Sequence, residues 1–350
     1  MKKKKPIGKI LLLVLAALVL LLALCCLIRP KAAYAIFKNL TVPVYQMDES
    51  TSWSGGTSYE HLAYAGDSDS QYVDLYVPAT EDGSLPKLYV VIHGGGFIAN
   101  DAQSRQAQWM YRYFRDHGFA CATVNYRLAQ EEPFPGAVCD CKAAIRFLRA
   151  HAADYGYDAE HIAVFGESAG GYLAVMCAVT NDGEFDGVRF IGQDELGDVS
   201  AKVDVLVDYY GHVENGEHTE DWKALGIPPV IFSIANSWLT GDTLQGFETV
   251  ESFWNRKNVS EMTAEELAVI DPYTYLYEND LSDLAVWIVH GDCDITVPYV
   301  ESERIAEAFR QQSAKAVELQ IIPGMGHASD PLYADELLAP LADFMREQLG

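Results

Sequence analysis

Three residues at three separate points in the chain could together break an acyl bond. Ser168 lies in VFGESAGG, residues 164–171, with glycines two positions away on each side. Alone this pattern is weak: with glycine near 7% of residues, G-x-S-x-G arises by chance in roughly one chain in ten of this length. A serine hydroxyl also needs a neighbouring base at neutral pH. His327, in PGMGH, supplies an imidazole just past an apolar run. A carboxylate should fix its tautomer and stabilise the imidazolium. HGDCDITVP offers Asp294, with Asp292 as the alternate.

Charge that develops on a carbonyl oxygen during attack needs preorganised donors. HGGGF, residues 93–97, is glycine-rich, so several backbone N–H groups can converge on one point. Gly95, Gly96 and Ala169 are the expected donors, with Gly94 as a further member. His93 and His290 are expected to orient their loops. Phe97, Tyr172 and the tryptophans between 211 and 280 suggest an apolar acyl or aryl pocket. This chemistry calls for no metal or cofactor, and no Cys/His cluster has zinc-ligand spacing.

The four segments share one context. KLYVVIH, HIAVFG, DLAVWIVHG and AVELQIIPG are apolar runs that read as strands, and each ends where one of these motifs begins. Helical spacing follows at 102–117, 133–156, 169–180, 298–311 and 331–349. YEHLAYA and QYVDLYV alternate and read as a half-buried hairpin. Strands alternating with helices predict an α/β fold with a mostly parallel sheet, whose ligands collect at the carboxyl ends of strands. A strand, a tight turn and a helix around Ser168 make a nucleophile elbow, in which the flanking positions must be small. Residues 211–280 are rich in Trp and Phe, contain no long buried strand, and read as an inserted cap or lid over the strand ends.

Residues 10–28 carry no charge over nineteen positions. As a helix they would span about 28 Å, enough for a bilayer core. Five lysines precede them. The expected organisation is therefore a cytoplasmic segment at 1–9, a transmembrane signal anchor at 10–28, a juxtamembrane linker at 29–56, and an extracytoplasmic catalytic domain at 57–350. Cleavage near Ala35, giving a secreted protein, is the alternative. Residues 1–31 hold seven of the 25 basic residues and no acidic one, leaving 18 Lys and Arg against 50 Asp and Glu, a balance of −32. Such a surface disfavours nucleic acid as a partner. Cys121, Cys139, Cys141, Cys177 and Cys293 read as buried thiols. Oligomeric state is not legible.

HGGGF, VNYRLA, IAVFGESAGG, VHGDCDITVP and IIPGMGH together resemble the α/β-hydrolase superfamily, within it the hormone-sensitive-lipase and feruloyl- or acetyl-xylan-esterase-like group. The resemblance covers about residues 70–349. It implies an α/β-hydrolase fold, with Ser168 as nucleophile, Asp294 as acid, His327 as base, and an oxyanion hole from the glycines after His93 plus Ala169. It also implies a serine carboxylesterase acting on small-molecule esters. A prolyl-peptidase-like amidase and a catalytically silent surface binding protein are the competing readings. Asn125 departs from the acidic residue that many relatives carry before the Tyr-Arg pair.

Overall fold

The computed structural model describes residues 30–41, 43, 53–187, 198–213, 221, 225 and 262–350. The transmembrane segment expected at 10–28 and most of the cap expected at 211–280 lie outside these residues. Among the described residues no helix is long and apolar enough to cross a membrane.

In chain order the elements are α1 (Pro30–Thr41), β1 (Gly56–Ala63), β2 (Tyr72–Pro78), β3 (Lys87–Ile92), α2 (Arg105–Asp116), β4 (Ala120–Asn125), α3 (Gly136–Ala150), α4 (Ala152–Tyr155), β5 (Asp158–Glu167), α5 (Ala169–Val179), β6 (Val205–Tyr209), α6 (Ala264–Ile270), α7 (Pro272–Glu278), β7 (Ala285–Gly291), α8 (Tyr299–Gln311), β8 (Ala316–Ile322) and α9 (Asp335–Leu349). The eight strands form one sheet in the order β1-β2-β4-β3-β5-β6-β7-β8. β1 and β2 pair antiparallel, as do β2 and β4; every later pairing is parallel.

The apolar runs are continuous because the central strands are covered on both faces. Leu88, Val90 and Ile92 of β3 face α3, α5 and α8, whereas Tyr89 and Val91 face α2 and α9. Each fully buried Val, Leu or Ile contributes about 1.5–3 kcal/mol against its exposed state, an upper estimate. β2 departs from the half-buried expectation. Its polar-looking positions Asp74 and Tyr76 are buried as well, because α2 packs over the face that alternation would leave to solvent. β1 keeps its outer face exposed. A break in register between Tyr59 and Leu62 marks a bulge, with His61 at φ 54°.

The linker expected at 29–56 is not wholly irregular. It contains helix α1, whose Asn39 reaches the main chain at Cys293. All five described cysteines are free and buried. Asn125 accepts from the Ala102 N–H and donates to Ser70 O, and a carboxylate could not make the second bond.

The chain leaves β3 for β4 on one side and returns to place β5 on the other. The order reverses between β3 and β5, and in sheets of this kind ligands bind outside the carboxyl ends at such a switch point. Ile92 pairs with Gly166, so the HGGGF loop and Ser168 emerge side by side.

Candidate active site

Ser168 joins β5 to α5 at φ 54° and ψ −119°, a conformation costly for any residue with a Cβ. The surroundings enforce it. The Ser168 N–H donates to Tyr209 O at 3.0 Å. A Cβ on Gly166 would run into the Gly170 carbonyl, one on Gly170 would lie 2.5 Å from His93 O, and one on Gly171 would lie 2.6 Å from Gly211 Cα. The small residues flanking the serine are therefore a steric requirement of this turn. The start of α5 beneath the hydroxyl adds positive partial charge.

His327 follows β8 through the Pro323–Gly326 turn. Its Nε2 lies 2.9 Å from Ser168 Oγ and its Nδ1 lies 2.7 Å from Asp294 Oδ2. Residues 159 and 33 positions apart thus meet at hydrogen-bond distance. Asp294 Oδ1 accepts the N–H groups of Thr296 and Val297, leaving Oδ2 for the imidazole. Burial would raise the Asp294 carboxyl, but His327 and His290 outweigh it and hold it well below the usual carboxylate range. Burial would likewise lower His327, but Asp294 overcomes this and raises it above the ordinary histidine value. Asp292, the alternate, is exposed and accepts from the Gly324 N–H at 2.6 Å; it shapes the histidine loop and does not touch the ring.

The two other histidines sit behind this line. His290 Nδ1 lies 2.7 Å from Ser302 Oγ, and its Nε2 lies 3.2 Å from Asp294 Oδ2. His93 stacks on Tyr126 and contacts Gly94 O through Nδ1, while Tyr126 OH donates to His93 O. Burial pushes His93 down to about 4, so it is neutral at pH 7.

The oxyanion loop needs one correction. The Gly94 N–H donates to Glu167 Oε1 at 2.9 Å, so it is not available to a substrate oxygen. Gly95, at φ 118°, and Gly96, at φ 62°, turn the chain back beside Ser168. No hydrogen bond among the described residues uses the N–H of Gly95, Gly96 or Ala169. The aromatic pocket expectation also changes. Tyr172 is fully buried and donates its OH to Ile270 O, and Phe97, 4% exposed, packs edge-on against it. Both belong to the core beneath the site.

Sequence reasoning did not single out Glu167 or Tyr210. Glu167 is buried, 3% exposed. Burial raises its carboxyl, partly offset by the Gly94 N–H, His327 and Tyr210. Tyr210, held at φ 43°, packs edge-on against the His327 ring at 4.8 Å between centroids. Its hydroxyl meets the Glu167 carboxylate and the Tyr333 hydroxyl. The only available signal was the acidic residue inside G-E-S, and its partner lies 73 positions away.

The BD-FAE family profile matches residues 73–309, more than half of the chain. The chain belongs to the BD-FAE family. The fold is shared with a truncated carbohydrate esterase from gut microbiota, at 25% identity and TM-score 0.65, covering 88% of this chain and 99% of that one. Esterase 2 of Thermogutta terrifontis, with butyrate bound, aligns at 22% identity and TM-score 0.59 over 84% of this chain and 94% of that one. In sequence, the probable carboxylic ester hydrolase LipM of Mycobacterium tuberculosis is 24% identical over 71% of this chain and 51% of its own length. The ethyl acetate hydrolase of Pseudomonas putida is 36% identical over 30% of this chain and 33% of its own. This BD-FAE member spans about half the length of the first curated relatives it matches.

Proposed function

We propose that this BD-FAE member is a serine carboxylesterase that hydrolyses short-acyl or aryl esters through an acyl-enzyme. The observation that carries the reading is the imidazole of His327 set between Ser168 Oγ and Asp294 Oδ2. His327 Nε2 takes the hydroxyl proton as Ser168 attacks the ester carbonyl. The developing oxyanion receives the N–H groups of Gly95, Gly96 and Ala169, each typically worth about 10²–10³ in turnover. His327 then protonates the leaving alcohol, and water enters by the same route to release the acid.

The similar structure named as a carbohydrate esterase and the esterase solved with butyrate support a small acyl group, with an acetylated or otherwise acylated sugar as one alcohol side. The uncharged run at 10–28, preceded by lysines, supports a single-pass membrane protein with its catalytic domain extracytoplasmic. A p-nitrophenyl ester series from acetate to decanoate tests activity and acyl depth together. The reading expects kcat/KM to fall as the acyl chain lengthens, and activity to disappear in a folded Ser168→Ala variant. A folded wild-type protein that cleaves no ester in the series overturns it.

A further inference from the structure

Helix α1 has two faces with different surroundings. Ala35 and Asn39, four residues apart, share its inner face. Ala35 is buried, and Asn39 Nδ2 donates to Ala35 O at 2.7 Å and to Cys293 O at 2.8 Å. Cys293 immediately precedes Asp294, and its own N–H donates to Met325 O in the His327 loop. That loop is cut to fit the helix. A Cβ on Gly326 would strike the Asn39 side chain, with Nδ2 2.9 Å away, and one on Gly324 would lie 2.6 Å from Lys38 Cε. The two glycines of PGMGH thus admit a helix that lies nearly 290 residues earlier in the chain. Asn39 touches the loops of both the acid and the base.

The outer face carries Tyr34 and Phe37, one turn apart, 52% and 60% exposed. Two features indicate what covers them. The uncharged run ends at Ile28, two residues before α1 begins, so a bilayer entered by that run would meet this helix first. Charge also divides sharply along the chain. Residues 1–47 contain eight Lys or Arg and no Asp or Glu, while all 50 acidic residues lie from Asp48 onward. An anionic lipid surface would repel the rest of the molecule and accept this end. Exposed aromatics beside lysines are the pattern of a helix lying in the interface.

We propose that α1 is a membrane-surface brace: Tyr34 and Phe37 lie in the lipid interface, and Asn39 fixes the loops of Asp294 and His327 from behind. Asn39 is a positioning residue, and the catalytic site stands next to the bilayer. The proposal rests on the esterase reading above.

The full chain is reconstituted in vesicles of phosphatidylcholine and phosphatidylglycerol, with and without brominated acyl chains. The emission added by Phe37→Trp should be quenched by the brominated lipid. The same added emission in both vesicles, as for a residue in water, overturns the lipid contact. Asn39→Leu should lower kcat on p-nitrophenyl acetate about fivefold, the equivalent of one neutral hydrogen bond, with KM unchanged. It should also move the acid limb of kcat/KM down towards the ordinary histidine value as the Asp294–His327 contact loosens. Unchanged kcat and pH profile in Asn39→Leu, or unfolding of both Asn39→Leu and Asn39→Ala by circular dichroism, overturns the positioning role. A wild-type chain without esterase activity would instead count against the esterase reading, and the quenching result would still decide the lipid contact.

Discussion

The N–H of Gly94 donates to the side chain of Glu167, joining the residue beside Ser168 to the loop that carries Gly95 and Gly96. This contact withdraws Gly94 from the proposed oxyanion hole and fixes the turn that presents Gly95 and Gly96. It also places a second carboxylate near His327, where it helps raise the imidazole. Glu167→Gln keeps an acceptor for Gly94 and removes the charge. The acid limb of kcat/KM should then shift to lower pH with the fold intact. Glu167→Ala leaves a buried N–H unsatisfied and should cost about 1–3 kcal/mol in stability, read by urea unfolding.

The proposed mechanism requires the base form of His327 for attack, and its pKa is raised by Asp294. The wild-type acid limb should therefore lie above the ordinary histidine value of about 6.5. Asp294→Asn should lower kcat by on the order of 10⁴, as expected when an imidazole loses the partner that fixes its tautomer. Asp294 also carries a stability signature. Its folded pKa is depressed, so its contribution is complete above the unfolded value of about 3.9 and is lost as pH falls through the folded one. The stability gap between wild type and Asp294→Asn, from urea unfolding across pH, should narrow below about pH 4.

Strain at Ser168 gives a test independent of turnover. At φ 54° and ψ −119° a glycine is unstrained, whereas alanine keeps the Cβ penalty. Ser168→Gly should be more stable than Ser168→Ala by about 1 kcal/mol, although glycine loses more entropy on folding. Equal unfolding midpoints would show that the turn is relaxed.

Gly170→Ala should damage both fold and activity. Its Cβ would lie 2.5 Å from His93 O, on the backbone of the oxyanion loop. Overpacking of this kind typically costs about 1–3 kcal/mol. Thermal melting together with p-nitrophenyl acetate turnover would measure both losses.

Where the sequence was readable, the demand was local. Gly166 and Gly170 are dictated by a turn within five residues of Ser168, and the apolar runs of β3, β5, β6 and β7 are dictated by cover on both faces. Asp294 could be named because it follows such a strand, and His327 because it follows the apolar run of the edge strand β8 through a glycine turn. The features that escaped depend on contacts between distant segments. Glu167 acquires its role from Gly94, Tyr210 from His327 and Tyr333, and Asn39 from Cys293. Tyr172 pointed towards a substrate by type alone, yet its hydroxyl is taken by Ile270 O. Alternation in β2 misled for a similar reason: nothing local to Asp74 and Tyr76 announces that α2 will cover them.

The central claim is that Ser168 forms the covalent intermediate, and trapping that intermediate tests it most directly. Wild-type protein and Ser168→Ala are quenched in acid during turnover of p-nitrophenyl acetate and analysed by peptide mass spectrometry. The account predicts an acetyl group on Ser168 in the wild type, with neither adduct nor turnover in the folded variant. An acetyl group on a different side chain, or wild-type turnover by Ser168→Ala, would contradict it.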